Sequence, residues 1–133
     1  MKKINLKGKH IVITGVSKGI GLELSKLLVA KEAHVYGWGR NAPKGFVHEN
    51  FHFINCDVQN GQSVNAARDE TFSLSKNKVD TLINNAGLGY FGYLEQQPME
   101  EITTMINTNL LGVIHATRSV LPSLKAQKLT YIY

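Results

Sequence analysis

Short β-branched runs alternate with helical patterns along this chain, and that alternation constrains its fold more than any other feature. The run HIVITG (10–15) reads as a buried strand ending in glycine. Ile20, Leu24, Leu27 and Leu28 then recur at helical spacing, with Glu23, Lys26 and Lys31 on the opposite face. AHVYGWG (33–39) and FHFINCDV (51–58) read as a second and a third strand, and a polar helix follows to about Lys76. VDTLIN (79–84) is a fourth strand, and GLGYFGY is a Gly/aromatic loop. Pro98 opens a long helix through about Ala126, proline being favoured at the first helical position. LTYIY begins a fifth strand. Strand and helix joined by short connections imply a doubly wound parallel sheet of right-handed βαβ units.

The 133 residues give one domain, 1–133. Hydrophobic residues at 43% and charged residues at 19% exclude a disordered chain. The net charge of +5 raises the question of an anionic partner, but the Lys and Arg residues are dispersed and form no stripe, so no nucleic-acid partner is expected. The apolar run 11–13 is too short for a signal peptide or a membrane span. Cys56 is the only cysteine, which leaves no intrachain disulfide and no cysteine-based zinc site. These features set the expectation of a cytoplasmic chain with no membrane partner.

The sequence TGVSKGIG (14–21) lies between the first strand and the first helix, where unpaired helical N–H groups suit a pyrophosphate. Gly15 permits a tight turn, Gly19 close approach of a phosphate, and Gly21 close packing of the helix on the sheet. The spacing is Gly-x3-Gly-x-Gly, neither the usual dinucleotide fingerprint nor a P-loop. On spacing alone the less favoured alternative is a helix-start glycine cluster that binds nothing.

Four ordered motifs carry a resemblance: TGVSKGIG (14–21), CDV (56–58), NNAG (84–87) and NTNLLG (107–112). Together they resemble the short-chain dehydrogenase/reductase family over essentially the whole chain. The resemblance implies a Rossmann-like sheet ordered 3-2-1-4 with a partial strand five. It places Gly15, Ser17, Lys18, Gly19, Ile20 and Gly21 at the pyrophosphate turn, and Asp57 and Val58 at the adenine. Asn85, Ala86 and Gly87 fall beside the nicotinamide-side ribose, whereas Asn84 is expected to satisfy backbone groups between strands. Asn109 takes the place of the family's catalytic asparagine, which holds a water in the proton relay. On periodicity alone Asn109 is a core amide that interrupts the apolar stripe Ile102, Ile106, Val113, Ala116 and Val120. Residues apolar on more than one side of helix 98–126 make it a candidate homo-oligomer interface, as in the family.

The resemblance also implies NADP(H) in preference to NAD(H). Where an NAD site carries an acidic residue after strand two, this chain has Gly39 followed by Arg40. A guanidinium can bind a 2′-phosphate that a carboxylate would repel, and Lys18 adds a second cation. Two solvated surface cations would read the same way in sequence. The family's serine and Tyr-x-x-x-Lys pair have no counterpart here: Tyr36 is followed four residues on by Arg40, and no tyrosine has a lysine in that position. The chain thus resembles the front half of a reductase of small carbonyl or alcohol compounds. It is expected to lack turnover on its own. HENFH (48–52) matches a zinc-protease string, but it runs into a strand that separates His48 from His52, so no metal is expected.

Overall fold

The computed structural model describes residues 5–127 and 131–132. Five parallel strands form one sheet, in the order β3-β2-β1-β4-β5: β1 His10–Thr14, β2 His34–Gly39, β3 Phe51–Asn55, β4 Thr81–Ile83 and β5 Tyr131–Ile132. The expected order is therefore present. The third strand is shorter than the alternating pattern suggests, because its ladder with β2 ends at the pair Gly39 and Asn55, and a turn closed by Asn60 N donating to Asp57 O follows.

Period-two alternation sends the residues of β1 to two separate cores. Ile11 and Ile13 join Val16, Leu28, Val29, Val35 and Phe51 beneath helix α1 (Gly19–Val29). Val12 faces the other side with Tyr36, Trp38, Ile54, Leu82, Ala116 and Val120, covered by α2 (Gly61–Ser75) and α4 (Gly112–Ala126). Helices on both faces explain why nearly every residue of β1 and β2 is buried. On the second side Trp38 Nε1 donates to Thr71 Oγ1 at 3.0 Å, which satisfies the one polar atom of a fully buried indole.

Two helical stripes differ from the periodic reading. In α1, Ile20 is 78% exposed and Leu27 is 60% exposed, while Gly21, Ser25 and Leu28 face inward. The contact face is rotated by one residue because the helix start lies against backbone: a Cβ on Gly21 would sit 2.1 Å from the Gly15 carbonyl oxygen. Only a glycine fits there; of the expected stripe, Leu28 is buried and Leu24 packs against the same core, while Ile20 and Leu27 point outward.

The long helix is not continuous α-helix. It begins at Met99, after Pro98 in extended conformation, as α3 (Met99–Ile106). It passes through a π turn, Asn107–Leu111, and continues as α4 to Ala126. The wider turn shifts the register by one residue, so the buried line is Thr108, Gly112, Ala116, Val120 and Leu124. Asn109 lies on the exposed side of the turn rather than in the core.

Candidate functional site

A cleft of about 520 Å³ opens at the carboxyl ends of β1, β2 and β4. The chain runs outward from β1 to β2 and β3, then returns to place β4 on the other side of β1. The divergence leaves a crevice where open α/β sheets take their ligands. Gly15, Ser17, Lys18, Gly19, Ile20, Arg40, Asp57, Val58, Asn85, Ala86 and Gly87 all line it. Four segments, 15–20, 40, 57–58 and 85–87, are thus brought together. Gly21 lies beneath the lining, and Asn109 stands beside it.

The glycine turn is built by backbone sterics. Gly15 has φ +76°, and a Cβ there would come within 2.8 Å of Ala86 Cα. Gly19 has φ +62° with nothing within 4 Å of where a Cβ would point. Close packing below and open ground in front are what a turn needs if a ligand is to reach the helix start. Lys18, at the N-cap of α1, makes no side-chain capping bond, and the first turn contains no acidic residue. The leading N–H groups of the helix therefore face the cleft with no carboxylate competing for them.

Thr14, which the sequence reading missed, ties the two sides of the crevice together. Its Oγ1 accepts from Asn85 N at 3.1 Å and from Ala86 N at 3.0 Å. Asn85 Nδ2 donates in return to the carbonyls of Thr14 and Gly15, at 3.0 and 2.9 Å. The bridging role expected of Asn84 belongs to Asn85 instead. Asn84 reaches only Thr117 Oγ1, at 3.4 Å, and its Oδ1 is buried with no partner among the described residues. The Asn84 side chain follows the last residue of β4 on the α4 side of the sheet, out of reach of β1.

Asp57 is held in a tight turn. Its N–H donates to Ser63 Oγ at 2.9 Å, and Oδ1 accepts from Gln59 N at 3.0 Å. Val58 packs on α4, where a Cβ at Gly112 would lie 2.8 Å from Val58 Cγ2. Its carbonyl accepts from His115 Nδ1 at 2.9 Å, so His115 carries a proton on that nitrogen. The buried Cys56 thiol is pushed up to about 12, chiefly by burial and then by Asp57. It remains a thiol and a packing group.

Asn109 clamps the loop after β4. Its Oδ1 accepts from Leu88 N at 2.9 Å and its Nδ2 donates to Leu88 O at 2.8 Å. One residue, 21 positions away, engages both the oxygen and the nitrogen of the amide. Helical periodicity carries no trace of that pairing.

The short chain dehydrogenase family profile matches residues 9–132. The chain belongs to this family. A 3-ketodihydrosphingosine reductase of Bacteroides thetaiotaomicron is 35% identical over 115 residues, 86% of this chain and 42% of that protein. Among solved structures, a 3-ketoacyl-(acyl-carrier-protein) reductase of Brucella melitensis complexed with NADH superposes with a TM-score of 0.86 at 28% identity, covering 95% of this chain and 56% of its own. A short chain dehydrogenase of Leptospira borgpetersenii with bound NAD+ gives a TM-score of 0.86 at 25% identity, covering 96% and 51%. The chain therefore spans about half the length of the family members it matches.

His48 and His52 do not form the helical pair a zinc protease requires. His48 lies in the loop before β3, its Nδ1 accepting from Asn50 N at 3.1 Å. His52 lies in β3, stacked on Tyr36 at 5.5 Å. No helix among the described residues is long and apolar enough to cross a membrane.

Proposed function

We propose that this chain forms the cofactor-binding portion of an NADP(H)-dependent oxidoreductase acting on a small carbonyl or alcohol compound. The observation that carries the coenzyme choice is the cationic mouth of the cleft. Gly39 occupies the place of an acidic residue, and the exposed side chains of Lys18 and Arg40 make no ion pair among the described residues. The donor set fits a dinucleotide: open N–H groups at the start of α1 for the pyrophosphate, and Gly19 with nothing in front of it. Arg40 and Lys18 take the 2′-phosphate through charge-assisted hydrogen bonds. The Asp57 carboxylate, with one oxygen held by Gln59 N, accepts from the adenine amino group while Val58 walls the pocket. Ala86 and Gly87, small and beside the turn, leave room for the nicotinamide-side ribose.

When bound, the nicotinamide supplies hydride-transfer chemistry. Asn109 holds the Leu88 loop and, as in the family, would support the proton relay. No tyrosine within residues 1–133 is followed four positions later by lysine, so the role we assign to these residues is coenzyme binding. The reduced thiol of Cys56 suits a cytoplasmic setting.

A second observation favours assembly as well. Ile106, Leu110, Leu111 and Ile114 are exposed along one side of the α3–α4 helix. A second copy of this chain would cover them, giving a homo-oligomer.

The test is a fluorescence titration with NADPH and with NADH. NADPH should bind at least about tenfold more tightly, the discrimination expected of one charge-assisted phosphate site. Equal affinities would refute the assignment of Arg40, and no binding of either would refute the site.

A further inference from the structure

The three carbonyls that follow one another at the end of β2 are each held by a different donor. Cys56 N donates to Gly39 O at 2.9 Å. Asn55 Nδ2 donates to Arg40 O at 3.0 Å. Ser17 Oγ donates to Asn41 O. The parallel ladder between β2 and β3 ends at the pair Gly39 and Asn55, so regular sheet pairing stops just before Arg40. The Asn55 side chain extends the pairing by one residue. It does so from an exposed position, where an asparagine at the end of an edge strand has water freely available.

We infer that Asn55 is a positioning residue that sets the preference for a 2′-phosphate, by fixing the backbone from which Arg40 extends. The inference rests on the reading that Arg40 receives that phosphate. The Arg40 guanidinium is exposed and unpaired among the described residues, so the structure fixes the root of this side chain and leaves its head free. An arginine on a loose loop must order both backbone and side chain on binding, whereas a tethered root leaves only the side chain to order. Asn55 does not line the cleft and acts only through the Arg40 carbonyl. Gly39 belongs to the same device. A Cβ there would lie 3.2 Å from Ser17 Oγ, so any side chain at residue 39 presses on the hydroxyl that holds Asn41.

The experiment compares Asn55→Leu, nearly isosteric but without a donor, with the unaltered protein. NADPH and NADH affinities are measured for each by coenzyme fluorescence. Losing the tether should weaken NADPH about 3- to 10-fold, the range set by ordering one more flexible group, and leave NADH within about twofold. A merely structural role would weaken both coenzymes together, and that result, or no change in either, overturns the inference. Asn55→Thr, β-branched and too short to reach the carbonyl, repeats the test in case the leucine impairs folding. Arg40→Ala separates the two claims. If it abolishes discrimination while Asn55→Leu does not change it, Arg40 keeps its role and Asn55 loses its own. If Arg40→Ala leaves the NADPH/NADH ratio unchanged, both fall.

Discussion

The two ends of this sheet are made of the same five strands and are finished in opposite ways. At the carboxyl ends, backbone is packed tightly beneath and left open above: Gly15 and Gly21 admit no Cβ, while Gly19 faces empty space. At the amino ends, side chains close the sheet. His10 stacks on His34 at 4.9 Å and lies 2.9 Å, Nδ1 to Oη, from Tyr36. Asp80 accepts from the His10 N–H at 2.8 Å and pairs with Lys9 at 3.1 Å. One end leaves donors open for a ligand, and the other satisfies its groups internally.

The largest effect should come from filling the packed floor of the cleft. Gly21→Ala forces a Cβ into contact with a backbone carbonyl, and overpacking of this kind costs about 1–3 kcal/mol or more. A fall in Tm of roughly 5–10 °C with loss of NADPH binding is expected. A variant that melts and binds normally would mean the floor is not rigid.

Next is Thr14→Val, which keeps the shape and removes the acceptor that Ala86 N uses. Leaving that N–H unpaired should cost about 1–3 kcal/mol in chemical denaturation. Binding should weaken too, because the β1–β4 crevice loses its tie. If stability falls and affinity does not, the tie between β1 and β4 serves stability alone and the two ends are not divided in role.

The smallest effect belongs to the amino end and to pH. Burial, and then the neighbouring His34, lowers the pKa of His10 from its ordinary 6.5. The unfolded chain therefore takes up a proton before the folded one does. Stability from this group is complete above pH 6.5 and is lost as pH falls through the folded value. Its neighbours Asp80, Lys78 and Lys9 modulate the shift, Asp80 against it and the lysines with it. His10→Phe should flatten the acid side of the Tm–pH curve without altering coenzyme affinity at pH 7.5. A curve unchanged by the substitution would remove His10 from the account.

The parts that were legible in the sequence are those encoded locally. The strand run HIVIT, the glycines after it and the NNAG turn are each read within a few residues, and the strand order follows from the family they identify. What escaped depends on distant partners. Thr14 and Asn85 are 71 positions apart, and Asn109 meets Leu88 only because the loop after β4 returns to the π turn. A 3.6-residue period could not reveal that turn, so Ala116 and Val120 are buried as expected while Thr108 and Gly112 take the places expected of Asn109 and Val113. The contact face of α1 was displaced for a different reason, since helix-to-backbone contact at Gly21 favours the smallest residue over the most apolar one.

Amide hydrogen exchange with and without NADPH tests the proposed coenzyme site at the open end of the sheet. Added protection should appear across 15–20 and at Asp57 and Val58, with little change in the strand starts around His10, His34 and Phe51. Protection confined to those strand starts, or none at the glycine turn, would contradict it.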